Sequence, residues 1–218
     1  MKSSCEIILG SSSPRRTDLL SRLDLPFRVV HPEVEEIAED GESPKAYVLR
    51  NSRAKGEWVL HAVAGKCKST DRVLVIAADT IVVLDGMILE KPRHPADARR
   101  MLGLLSGRTH QVWSGIAVVL GCGGTGSKGK PAVLKRRVKA VKTDVTMKSF
   151  SKREIAWYVA SGEPLDKAGS YGAQGIGHYL IHAIHGSYTN VVGLPMAELV
   201  EMLEHEFGVP MWKPGGKK

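Results

Sequence analysis

The order of apolar and polar positions divides the chain into strand-like and helix-like stretches. Cys5-Glu6-Ile7-Ile8-Leu9 is a short apolar run closed by Gly10, and Pro14 then opens a stretch with Leu19, Leu20 and Leu23 at helical spacing. The expectation is strand, tight loop, helix, with Ser13 as the N-cap ahead of a proline in the first turn. Ser43-Pro44 repeats that start and predicts a helix to about Val63. Arg72 to Ala78 has the continuous apolar character of a strand buried on both faces, expected to stop at Asp79-Thr80 on the rim of a sheet. From Ile81 to Leu89 a β-branched run breaks at Asp85-Gly86, a hairpin signal.

A helix from about Ala96 to Leu105, closed by Ser106-Gly107, follows. Val112 to Leu120 and Val133 to Met147 read as two long strands joined by a glycine-rich connection, 121–130, expected to be a flexible surface loop. Ser151 to Ala160 reads as helix, Gly169 to Gly177 as a glycine-punctuated loop, Tyr179 to Ile184 as a strand and Pro195 to Phe207 as a last amphipathic helix. The tail, 213–218, is expected to be disordered.

Composition narrows the class. With 218 residues, 43% hydrophobic and 25% charged, the chain suits one domain of one or two lobes. No apolar run approaches the ~18 residues of a membrane span, and residues 1–10 are too short for a secretory signal, so a cytoplasmic setting is expected. Cys5, Cys67 and Cys122 are odd in number and lack C-x-x-C spacing, which argues for free thiols. The formal net charge is +8, but residues 128–153 hold ten Lys/Arg against one acid, Asp144. The excess therefore belongs to one long hairpin and its flanks, and the rest of the chain sums to −1.

Three stretches carry candidate chemistry. Gly10-Ser11-Ser12-Ser13-Pro14-Arg15-Arg16 lies between strand and helix, where small residues let backbone N–H groups approach an anion and the arginines add fork-shaped donors. Arginines are unfavourable at a helix N-terminus unless an anion binds there; a capped helix with solvent-facing arginines is the plainer reading. Asp79, followed at a hairpin's distance by Glu90-Lys91, could take a proton from water or hold a divalent cation, or could be an ordinary turn residue. Glu33-Val34-Glu35-Glu36 could add a metal carboxylate. The third stretch, Asp166 to Gly177, has glycines that permit close ligand approach and an amide, Gln174, able to read a base edge; a tight surface turn is the alternative. Carboxylates with Arg and Lys suit Mg²⁺ on phosphates better than zinc, and the eight histidines show no zinc spacing. His110 reads as a structural, hydrogen-bonded histidine.

Ser11-x-Ser13-Pro14-Arg15-Arg16-x-x-Leu19-Leu20, Ala78-Asp79-Thr80, Glu90-Lys91-Pro92, Leu105-Ser106-Gly107-x-x-His110-x-Val112, Gly162-Glu163-Pro164-x-Asp166-Lys167-Ala168-Gly169 and Asn190 to Pro195 together resemble the Maf family. That family comprises nucleoside triphosphate pyrophosphatases related in fold to inosine triphosphatase. The resemblance implies an α/β fold with a central twisted mixed sheet flanked by helices, two lobes around a nucleotide cleft, and one domain over 1–218. It implies Asp79 as general base, Ser11, Arg15, Lys55 and Lys91 as phosphate-binding positions, and Glu36 as a carboxylate needed for activity and a metal ligand beside Asp79. Ser13 and Arg16 belong to the same phosphate loop. Arg16, Thr80 and Gln174 match the positions that separate a branch acting on dTTP and UTP from one preferring 7-methyl-GTP. The expected cofactor is Mg²⁺ or Mn²⁺ and the expected partner is a nucleoside triphosphate, with homodimerisation as in relatives and no role for membrane or nucleic acid. A regulator of cell division that binds nucleic acid or protein through 128–153 is the rival.

Overall fold

A computed structural model describes residues 5–64, 72–122 and 132–211. Seven strands form one sheet: β1 (Cys5–Gly10), β2 (Arg28–Val30), β3 (Arg72–Leu84), β4 (Met87–Leu89), β5 (Thr109–Cys122), β6 (Ala132–Met147) and β7 (Ile181–His185). Their order is β2-β1-β3-β5-β6-β7, with β4 beside the end of β3. β1 runs parallel to β2 and β3, and the pairs from β3 to β7 are antiparallel, so the sheet is mixed as expected. The helices are α1 (Pro14–Ser21), α2 (Pro44–Ala64), α3 (Pro95–Leu105), α4 (Lys152–Ala160), α5 (Tyr188–Val192) and α6 (Met196–Glu201). Among the described residues no helix is long and apolar enough to cross a membrane.

Most boundaries fall where turn and cap chemistry put them. Asp85 and Gly86 both take positive φ, +49° and +81°, the conformation of the tight β3–β4 turn. α4 begins with a capping box in which Ser151 and Glu154 each satisfy the other's backbone N–H. The last helix extends past α6 as one π-helical turn, Met202–Glu206.

Some expectations fail. β3 does not stop at Asp79-Thr80 but continues to Leu84, because Asp79 and Thr80 pair with Gly115 and Ser114 in the ladder with β5. Gly121 and Cys122 belong to β5 rather than to the connecting loop; the remainder of 121–130, the tail 213–218 and Cys67 lie outside the described residues. Residues 169–177 are not open loop throughout, since short 3-10 turns take Ala168–Ser170 and Ile176–Leu180, and β7 starts only at Ile181. Neither β2 nor α5 is foreshadowed by a clear periodic signal.

The length of β3 and β5 creates the site. One hydrophobic core gathers Leu9, Leu20, Leu74, Ile76, Ile116, Leu194 and Leu203 along the first half of β3. A second gathers Val82, Leu84, Leu102, Val112, Tyr158 and Leu180 around its far half. Asp79 and Thr80 lie where the strand passes from one core to the other. The cleft opens where these two clusters meet.

Candidate active site

α2 crosses the sheet unusually close to β5. A Cβ on Gly115 would stand 2.1 Å from the carbonyl oxygen of Val48 and 2.9 Å from Ser52 Oγ, so only glycine admits the helix there. Gly115 is the ladder partner of Asp79. Val48, Ser52 and Lys55 follow one another at helical spacing, and the close crossing brings the last of them onto the aspartate. Lys55 Nζ donates to Asp79 Oδ1 at 2.6 Å and pairs with Glu36 Oε2 at 2.8 Å. Asp79 is 3% exposed and Lys55 7%, so both charges are withdrawn from bulk water.

Burial by itself would push the Asp79 carboxyl up, but Lys55, the adjoining Glu36 and the charge of Arg16 together hold it below the ordinary carboxylate range. Glu36 moves the other way: burial raises it, the facing Asp79 adds to the rise, and Lys55 only partly opposes. The pair thus separates into one carboxylate kept ionised and one that takes up a proton more readily. Among the described residues Asp79 Oδ2 is buried without a hydrogen-bond partner.

The site is the floor of a cavity of about 450 Å³ lined by Ser12, Ser13, Arg15, Arg16, Glu36, Tyr47, Lys55, Asp79, Thr80, Glu90, Lys91, Asp166, Lys167, Tyr171 and Gly193, among others. Ser13 holds the N-cap position of α1, yet its side chain makes no cap bond and the first turn contains no acid. Pro14 has no N–H, and the Arg16 and Thr17 N–H groups reach Ser13 O at 3.2 and 3.4 Å, so among the described residues the Arg15 N–H is what the first turn leaves for another acceptor. Ser11 is buried behind the wall, its Oγ accepting the Ser13 N–H at 3.1 Å. Lys91 lines the cavity and is exposed, with no ion pair among the described residues.

Two expected residues sit differently from their assigned tasks. Arg16 was expected to grip phosphate, but its guanidinium donates to Gly193 O (2.7 Å), Ala78 O (2.8 Å) and Thr80 Oγ1 (3.0 Å). These acceptors fix it as a strut between α1, β3 and the turn after α5, whereas Arg15 lines the cleft and pairs with Asp166 at 3.2 Å. Thr80 continues that chain to Ser114 Oγ at 2.8 Å, so the two positions Arg16 and Thr80 form one unit. Gln174 lies outside the cavity wall, which its neighbour Ala173 reaches. His110 is structural as expected: it is buried, contacts the Tyr171 hydroxyl at 2.7 Å, and burial pushes its pKa down to about 4, leaving it neutral.

The sequence offers no separate role for Tyr47, and it marks Asp166 and Lys167 only as part of the third candidate stretch; all three line the cleft. The Tyr47 hydroxyl lies 3.1 Å from the Glu36 carbonyl and 3.3 Å from Glu90 Oε1, tying the two acidic loops together. Its spacing to Asn51 and Lys55, four residues each, was the available signal. Lys167 and Asp166 stand in a motif that was legible, but nothing in its pattern tells which of its polar side chains turn into a cleft.

A mixed sheet with a concave cleft, in which Arg, Lys and carboxylate side chains surround a buried Lys-paired aspartate, defines the class as α/β. Known proteins agree with that class and sharpen it: the family described as Maf-like protein matches residues 6–206, and the chain belongs to the Maf family. The "dTTP/UTP pyrophosphatase" of Vibrio vulnificus is 43% identical over 202 residues, covering 93% of this chain and 98% of the relative. The protein of the same name from Symbiobacterium thermophilum is 43% identical over 210 residues, covering 96% and 98%. That from Nitratidesulfovibrio vulgaris is 46% identical over 198 residues, covering 90% and 86%. The solved Staphylococcus aureus Ham1 protein aligns over 81% of this chain and 79% of its own at 14% identity and a TM-score of 0.42, too remote to inform the site.

Proposed function

We propose that the protein is a cytoplasmic nucleoside triphosphate pyrophosphatase that converts dTTP and UTP, with water, to the monophosphate and pyrophosphate. The observation that carries this reading is Asp79, held ionised by Lys55, at the floor of a cleft onto which Arg15, Arg16, Lys91 and Lys167 also converge. Asp79 accepts a proton from the water that attacks the α-phosphorus, a role that needs a carboxylate within reach of the water and charged at neutral pH. Lys55 keeps it so and adds positive charge where the phosphoryl oxygens become more negative. Arg15, through its side chain and its backbone N–H, and Lys91 hold the rest of the phosphate chain. Arg16 and Thr80 shape the side of the cleft that receives the base, supported by the identity of those residues and by the names of the relatives.

The buried Asp79 Oδ2 and the nearby Glu36 carboxylate, both hard oxygen donors, would suit a divalent cation such as Mg²⁺ or Mn²⁺. Among the described residues no cluster of three or more His, Cys, Asp or Glu forms a self-contained metal site, in keeping with a cation that arrives with its substrate. Glu36 and Asp79 would hold it, and its chemistry there is neutralisation of phosphate charge.

The test is pyrophosphate release with Mg²⁺ or Mn²⁺ from dTTP, UTP, CTP, 5-methyl-UTP and 7-methyl-GTP. The expected order places the uracil and thymine nucleotides first, and absence of pyrophosphate from every nucleotide would overturn the reading.

A further inference from the structure

At the mouth of the cleft a single carboxylate holds two cations that come from opposite sides. Asp166 Oδ2 pairs with Arg15 NH1 of α1 at 3.2 Å, while Asp166 Oδ1 takes Lys167 Nζ at 2.6 Å. One oxygen to each cation is how a phosphate edge would bridge the same two groups. The partners differ sharply in exposure: the Asp166 side chain is 62% exposed, that of Lys167 11%. The lysine therefore belongs to the wall and the acid to the solvent edge.

The placement of Lys167 is over-determined by its surroundings. A Cβ on Gly172 would come within 3.0 Å of Lys167 Cε, so the absence of a side chain at 172 makes room for the lysine stem. The ammonium also donates to the carbonyl of Glu163. The Glu163 carboxylate does not compete for it, being occupied by the Tyr158 hydroxyl (2.9 Å) and the backbone N–H groups of Ile176 (2.7 Å) and Gly177 (2.9 Å). An ammonium has three donors, and those of Lys167 face one carbonyl and one exposed acid. Arg15 has Asp166 as its ion-pair partner among the described residues. An exposed pair of this kind adds little to stability, so a more highly charged anion can displace its acid at small cost.

We propose that Arg15 and Lys167 form the subsite for the departing pyrophosphate end of the substrate, and that Asp166 is a built-in counter-ion that leaves them when a phosphate chain binds. The choice of the pyrophosphate end rests on the function proposed above, in which the α-phosphorus lies at Asp79 and Lys55. Asp166 then competes with the substrate, so removing its charge strengthens anion binding. A direct ligand, a metal carboxylate or a purely structural acid would do the opposite.

The experiment measures calorimetric binding of inorganic pyrophosphate and tripolyphosphate at fixed Mg²⁺ to the parent, Asp166→Asn and Lys167→Met, alongside kcat and KM for dTTP. Lys167→Met keeps the stem that packs on Gly172 and removes the charge. Expected are several-fold tighter pyrophosphate binding and lower KM for Asp166→Asn, and roughly tenfold weaker binding for Lys167→Met, the size of one charge-assisted hydrogen bond. Weaker or unchanged binding in Asp166→Asn overturns the counter-ion role, and unchanged binding in a folded Lys167→Met removes the lysine. If Lys167→Met does not fold, the direction of the Asp166→Asn change still decides. Inorganic anions need no turnover, so the expected binding pattern without dTTP hydrolysis would sustain the subsite and sink the proposed function.

Discussion

The cleft and strand β6 are both rich in cations, and they use them in opposite ways. On β6 the positive charge is dense in sequence but spread and answered in space: Arg136 meets Glu57, Arg137 meets Glu206, Lys139 meets Glu201 at 3.5 Å and Lys142 meets Asp144 at 3.4 Å. Lys148, just beyond the strand, meets Glu154. The acids come largely from α2, α4, α6 and the π-turn, so a count along the strand overstates the field it projects. In the cleft, Arg15 and Arg16 of α1, Lys55 of α2, Lys91 just beyond β4 and Lys167 converge on one concavity. Their pairing is also different in kind, because Lys55 is buried against two carboxylates while Lys91 has no ion pair among the described residues. Convergence on a concave surface, rather than local charge density, marks where an anion is processed.

The sharpest way to break this contrast is at Asp79. Asp79→Asn is near-isosteric and is expected to lower kcat by about a thousandfold, within the range of a lost general base, with a thermal midpoint close to the parent's. Comparable turnover by the two proteins would place the function elsewhere. Next comes Lys55→Met, which leaves Asp79 and Glu36 facing each other uncompensated. Breaking a buried pair costs about 3–5 kcal/mol, read as a lower midpoint in denaturant at pH 7. Since Lys55 helps hold Asp79 down, its loss raises that pKa, and the acidic limb of the pH–rate profile should move to higher pH. An unmoved limb would deny the coupling. A smaller effect is expected for Lys91→Ala, about a tenfold rise in KM for dTTP with little change in stability, measured by steady-state kinetics. The smallest belongs to β6: Arg136→Gln with Lys139→Gln should leave kcat/KM within about twofold and change stability by roughly 1 kcal/mol or less per exposed pair. Steeply salt-dependent DNA or RNA binding that vanishes in this double variant would instead favour the rival role.

Much of the architecture was legible because local chemistry and tertiary demand agree. The Asp85-Gly86 turn, the Ser151 capping box and the proline starts of α1 and α2 are each specified by a few neighbouring residues. The three-residue β2 and the five-residue α5 were not, being too short to carry a period. β3 shows why an end can be misread: a polar pair looks like a terminus until β5 supplies ladder partners and α2 supplies a lysine. The motif around Ser11–Arg16 pointed to a loop that lines the cleft, but burial of Ser11 and the three acceptors that engage Arg16 are properties of the assembled fold. Gln174 teaches the same lesson from outside the wall, since a glycine-rich segment does not tell which of its side chains turns inward. The pairing of Arg136, Arg137 and Lys139 was equally invisible, because Glu57, Glu206 and Glu201 lie far away in sequence.

The central claim is that water directed by Asp79 attacks the α-phosphorus of a nucleoside triphosphate. Hydrolysis of dTTP in ¹⁸O-labelled water, read by mass spectrometry of both products, tests it most directly. The label is expected in thymidine monophosphate, with unlabelled pyrophosphate; label in pyrophosphate, or release of orthophosphate alone, would contradict it.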